Sequence, residues 1–153
     1  MFQSSPMLPA VVLCLVVGIT DCDTLKARCD DQTISVRLAA VDAPEKGQAF
    51  GNRSRQSLAA LCFRKPAHLR PVSTDRYGRT VAHVDCGGTD AGTAQVSAGM
   101  AWVFVRYAPA GSDLYRIEGE ARATRVGLWS DPHAVAPWIW REQKRSSRAA
   151  GMR

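Results

Sequence analysis

Three β-type runs, at residues 11–19, 24–29 and 33–41, follow one another with only a few polar residues between them. The period then changes. After Gly51 and Asn52, the segment SRQSLAALCF sets Leu58, Leu61 and Cys62 on one side of an amphipathic helix. Two more β-type runs, about 67–73 and 79–86, flank the polar turn TDRYG. Asp90 then opens a short helix ending near Gly99, MAWVFV returns as a strand, and Ser112 is placed to cap a helix carrying Leu114, Ile117 and Ala121 that stops at Gly127. This order constrains the fold more than any single motif, because short strands in succession must hide their edges, and closing the sheet on itself does so. Five strands broken by a helix and followed by further helices predict an α+β domain, a five-stranded, partly open barrel of the OB-fold type with about three helices.

The two ends are expected to lie outside that barrel. Met7 to Ile19 is an almost unbroken apolar run, too short for a membrane span of about 20 residues. It also lacks the basic start and small-residue cleavage site of a complete signal peptide, so LCLVVGI reads as a strand. Residues 1–12 are then a leader remnant or the start of the first strand, residues 13–140 the folded domain, and residues 141–153 a basic, solvated and disordered tail. The net charge of +6 is local. Residues 53–79 carry seven Lys or Arg against one Asp, which suits a polyanionic partner.

The cysteines bear on compartment. If the first two strands form a hairpin around Asp21 and Cys22, Cys14 falls opposite Cys29, with Cα atoms about 5.5 Å apart and within disulfide range. Cys62, near a helix end, and Cys86, near a strand end, are a second candidate pair, leaving Cys22 odd. Two disulfides point to a secreted or periplasmic protein; the other reading is five reduced thiols buried as small hydrophobes in a cytosolic one.

Charged residues gather at the strand ends. The first hairpin leaves Asp21 and Asp23 at its tip, the third strand carries Arg37 and ends in Asp42, Ala43, Pro44 and Glu45, and the second hairpin presents Arg76, Tyr77 and Arg79. Asp23, Asp42 and the Ala43 carbonyl make a partial cage of hard oxygen ligands with positions left for water and substrate oxygen. His68, His83 and His133 lack the spacing of a metal pair. Arg37 and Arg79 offer planar, permanently charged forks for phosphate oxygens, and Glu45 is placed to orient and deprotonate a water. This is the donor set for one-metal phosphodiester hydrolysis.

ITDCDT, VRLAAVDAPE, AFG, TDRYGR, AGMAWV and GLW, in this order from about Leu13 to Trp140, resemble the staphylococcal nuclease family. That resemblance implies an OB-fold and Ca2+-dependent hydrolysis of DNA and RNA that leaves 3'-phosphates, with secretion in many bacterial members. By motif position it makes Asp23, Asp42 and the Ala43 carbonyl the calcium ligands, Glu45 the general base and Arg37 and Arg79 the phosphate arginines. Arg76 and Tyr77 correspond to contacts with a terminal phosphate, and Tyr107 to one of two tyrosines near base and sugar. Val105 stands where the second tyrosine is expected, and Ala43 where the best-known member has Thr. Trp102 and Phe104, nearby, are expected in the core.

Cys22 replaces the Gly of the family's DGDT turn. A two-residue turn with Asp21 and Cys22 at its centre calls for φ > 0 at both, so Cys22 is expected to strain the turn and displace Asp23. A nuclease impaired by Cys22 is one alternative. A non-catalytic nucleic-acid-binding OB module is the other, although such modules are expected to lose the acids present here. The chain is expected to act as a monomer.

Overall fold

The computed structural model describes residues 10–151. Of the expected leader segment, residues 1–9 lie outside the described residues. Strand β1 (Val12–Asp21) buries Cys14 and Val16 and pairs antiparallel with β2 (Thr24–Cys29), which in turn pairs with β3 (Gln32–Leu38). On its other side β1 pairs with β5 (Pro66–Thr74), and β5 with β6 (Thr80–Cys86). The barrel closes where β3 and β6 run parallel, Arg37 beside Val81 and Leu38 beside Ala82. Val16, Leu25, Val36, Leu38, Leu69 and Val84 fill the interior, with Leu58 of α1 (Gly51–Cys62) packed beneath them.

The run expected as one strand over 33–41 is two. Ala40 takes a left-handed φ of 63°, which ends β3 and turns the chain into the short strand β4 (Val41–Asp42). β4 then pairs with β8 (Trp102–Val103), outside the barrel, after the two-residue strand β7 (Thr89–Asp90) and helix α2 (Ala91–Ser97) have been passed. Asp90 does cap α2, its carboxylate accepting from Thr93 N–H at 2.8 Å. Helix α3 (Leu114–Thr124) starts one residue later than a Ser112 cap implies, although the Ser112 hydroxyl accepts from Leu114 N–H at 3.2 Å. Gly99 (φ 68°) and Gly127 (φ 55°) lie where two segments cross so closely that a Cβ on Gly99 would overlap the Val126 carbonyl and one on Gly127 the Gly99 carbonyl.

Further expectations need correction. Helix α4 (Pro137–Gly151) is a fourth helix beyond the three expected, and it takes in residues 141–151 of the expected disordered tail. Its start is nucleated by Pro137 and by Trp138, whose ring meets Trp102 at 5.8 Å and Phe104 at 5.5 Å. The first hairpin also differs from expectation. Leu15 faces Arg28 and Val16 faces Ala27, but irregularities after Val16 and Ile19 shift the register until Asp21 faces Thr24. The central turn residues are therefore Cys22 and Asp23. None of Asp21, Cys22 and Asp23 has a positive φ, because the bulges supply the twist that the turn would otherwise have to make.

Cys14 is bonded to Cys29 and Cys62 to Cys86, with Cα separations of 4.4 and 5.3 Å, and Cys22 is free and buried. Among the described residues no helix is long and apolar enough to cross a membrane.

Candidate active site

The barrel end carrying the β1–β2 turn, the end of β3 and the β4 corner gathers the acids. Arg37 lies at its centre, one guanidinium nitrogen 3.6 Å from Asp23 and 3.5 Å from Asp42, with its charge over the Phe104 ring at 5.7 Å. Asp42 is fully buried. Burial pushes its carboxyl above the usual carboxylate range, Arg141 and Arg37 pull it back, and Asp23 pushes it up again. Ala43, next along, is also buried.

Glu45 is held by its backbone. Its N–H donates to Gln48 Oε1 at 3.1 Å and its carbonyl accepts from Gln48 N–H at 2.9 Å. Gly51 fits beneath this turn only because it lacks a Cβ, which would overlap the Glu45 carbonyl. The Cys22 thiol donates to the Gly51 carbonyl at 3.1 Å, tying the turn that carries Asp23 to the start of α1. Burial, followed by the charge of Asp21, pushes this thiol up to about 12, so it remains a protonated donor.

Arg79 reaches the same mouth from the second hairpin. Its Nη1 donates to Thr24 Oγ1 at 3.2 Å, and the Thr24 hydroxyl donates to Asp23 Oδ1 at 3.0 Å. Asp75 shapes that hairpin, accepting from the backbone of Tyr77 and Arg79 and from Arg79 Nε at 2.7 Å. Burial opposes its charge, but the hydrogen bonds from Arg79 and Tyr77 together outweigh it and hold Asp75 below the usual carboxylate range. Arg76 and Tyr77 stand exposed beyond it, with Arg79 over the Tyr77 ring at 5.4 Å. Tyr107 is exposed and set edge-on to Phe104 at 5.1 Å, while Val105 beside it is exposed too. Trp102 and Phe104 are half-buried, Trp102 against Trp129 at 4.4 Å.

One partner was missed entirely in the sequence. Arg141, from the first turns of α4, donates to Asp42 Oδ2 at 2.6 Å, to Asp42 Oδ1 at 3.3 Å and to Glu45 Oε1 at 2.6 Å. Burial works against its charge, yet the hydrogen bonds to the two carboxylates prevail and hold its pKa above the ordinary arginine value. No composition or motif signal singles it out from the other basic residues of the tail. Thr24 and Asp75 did lie within quoted motifs, and their supporting roles are visible only in the folded chain.

The donor set fits a hard cation. Asp23 and Asp42, both within 3.6 Å of one Arg37 nitrogen, present oxygen donors of the kind a hard cation takes, whereas no group of three His, Cys, Asp or Glu side chains is placed to hold an ion among the described residues. A positive group already sits on Asp42, in the form of the Arg141 guanidinium.

A family model described as staphylococcal nuclease homologue matches residues 35–131. The chain belongs to the staphylococcal nuclease family. It is 45% identical over 142 residues to a micrococcal nuclease of Shigella flexneri, a match covering 86% of this chain and 82% of that one. It is 44% identical over 146 residues to protein ParB of Escherichia coli, covering 89% and 82% of the two chains. An uncharacterized endonuclease of Haemophilus influenzae is 39% identical over 138 residues, covering 89% and 76%. As a staphylococcal nuclease homologue the chain is a hydrolase, and its OB-type barrel is the one this family membership implies.

Proposed function

We propose that this nuclease hydrolyses phosphodiester bonds of DNA and RNA with one divalent cation, Ca2+, leaving 3'-phosphates. The observation that carries the reading is the convergence of Asp23 and Asp42 from separate elements on one cationic centre, within 3.6 Å of the same Arg37 nitrogen. Two carboxylates this close, one of them fully buried, need positive charge to stay ionised. Asp23, Asp42 and the Ala43 carbonyl would hold the ion, which when bound supplies Lewis-acid polarisation of a phosphate oxygen and neutralises the two acids.

The chain's own residues do the rest. Glu45 accepts a proton from the water that attacks phosphorus, the bond from phosphorus to the 5'-oxygen breaks, and that oxygen takes a proton from solvent. Arg37 and Arg79 hold the non-bridging oxygens as their negative charge grows, a role for which rigid guanidinium forks suit better than lysines. Thr24 and Asp75 keep Arg79 turned toward Asp23. Arg76, Tyr77 and Tyr107 extend the surface along which the strand lies, and the family resemblance supports that use.

Labelled single-stranded DNA and RNA, incubated with the purified protein in Ca2+, in Mg2+ and in EDTA, test this reading. Cleavage should vanish in EDTA and return with Ca2+, and the new 3' ends should lose phosphate to a phosphatase. Full cleavage in chelator removes the mechanism, and retained binding without any cleavage favours the non-catalytic module.

A further inference from the structure

Helix α4 enters the site without a part in the chemistry above. Its first turn is fastened: Trp138 lies against Trp102 and Phe104, and Gln48 Nε2 donates to Val135 O at 2.6 Å just upstream. Beyond it the helix stands clear of the barrel. Every residue from Glu142 to Gly151 is exposed. Arg141 is the last residue of α4 with appreciable burial, and its guanidinium bridges Asp42 and Glu45 at 2.6 Å each. Lys144, Arg145 and Arg148 follow on the same side of the helix and, with Arg141 and Trp140, line one shallow depression.

That arrangement contradicts a working site. A guanidinium on Asp42 occupies oxygens that a divalent cation needs, and two positive groups cannot share them without strong repulsion. The Glu45 oxygen that accepts from Arg141 at 2.6 Å is also occupied and not free to face a water. Arg37 differs, because it stands 3.5 Å or more from both acids and belongs to the barrel wall. Arg141 sits on a long, flexible stem at the edge of an exposed helix, so only Arg141 can leave without disturbing the core.

We infer that α4 is a latch: in the cation-free protein Arg141 closes the site on Asp42 and Glu45, and a divalent cation binding at Asp23 and Asp42 expels Arg141, loosens the first turns of α4 and frees Glu45. The inference rests on the metal-dependent reading above. The cation and Arg141 compete for the same oxygens, so each weakens the other's hold by the same factor.

Calorimetric titration of the full chain with Ca2+ alone, without nucleic acid, tests the competition in the native protein and in Arg141→Gln. The variant should bind Ca2+ at least about tenfold more tightly, because the closed state no longer reduces the competent fraction. Arg141→Lys, which keeps the charge and loses the fork, should fall between the two. Hydrogen exchange should report the movement: Ca2+ should speed exchange of the amides of residues 140–145 in the native protein and leave them unchanged in Arg141→Gln. Equal or weaker binding by Arg141→Gln, or tighter binding without the exchange response, overturns the latch and leaves the metal reading standing. Absence of Ca2+ binding by both proteins overturns both.

Discussion

Two arginines reach Asp42 from unlike regions of the molecule. Arg37 comes from β3, a strand of the closed barrel wall, with 13% of its side chain exposed, and keeps 3.5 to 3.6 Å from both acids. Arg141 comes from the exposed helix α4, has 35% of its side chain exposed, and makes the shorter contacts of 2.6 Å. The tightest contacts to the acids are thus supplied by the less anchored element. Contact length measures how well two groups fit in one state. Anchoring decides which group is still there when another ligand arrives, and by that measure Arg37 is built into the site while Arg141 visits it.

The comparison breaks most easily at the level of turnover. Arg37→Ala and Glu45→Gln should each lower kcat by about 10² to 10⁴-fold with the fold intact, because both act chiefly where charge develops in the transition state. Arg141→Gln, measured at saturating Ca2+, should cause no such loss. A fall of comparable size in Arg141→Gln would make the two arginines equivalent and abolish the distinction between wall and visitor.

Stability separates the same two regions. Both disulfides lie in the barrel and α1, closing sequence separations of 15 and 24 residues, and neither touches α4. Reducing them should cost about 2 to 4 kcal/mol per bridge in denaturant melts. The exchange rates of α4 amides beyond Arg141 should not follow, since that stretch is exposed in either redox state. Five free thiols by non-reducing mass spectrometry would remove the bridges, and with them the main argument for an exported protein.

Much of the wall was legible in the sequence, because strand period, turn residues and acid placement are local signals. The register that puts Cys14 beside Cys29 follows from counting across one hairpin, and Asp23, Arg37, Asp42 and Arg79 follow from strand ends. What could not be read depended on contacts distant along the chain. Arg141 meets Asp42 across 99 residues, and nothing near Arg141 records that meeting. The break at Ala40 was hidden because an Ala carries no signature of a left-handed φ. The bulges in β1 were hidden for a related reason: Val17 and Thr20 fit a regular strand as well as an irregular one, and only pairing with β2 shows the shift.

That shift reverses the sign of one expectation. With Asp21 and Cys22 at the centre of the turn, Cys22→Gly should relieve strain and stabilise the protein; with φ unstrained, it should do the opposite. The variant removes a buried thiol and its hydrogen bond to the Gly51 carbonyl and frees the unfolded chain, which together should cost roughly 1 to 3 kcal/mol, or several degrees in Tm. Cys22→Ser should lose less, because a hydroxyl can still donate to that carbonyl. The pH dependence gives a second check. A thiol raised from 9.0 to about 12 stays protonated in the folded chain while the unfolded chain ionises, so its contribution is fully present below pH 9 and is lost between pH 9 and 12. The stability gap between native protein and Cys22→Gly should therefore be flat near neutrality and narrow in alkali. A more stable Gly variant would restore the strained turn, and with it an Asp23 that this end of the barrel holds less firmly than the wall holds Arg37.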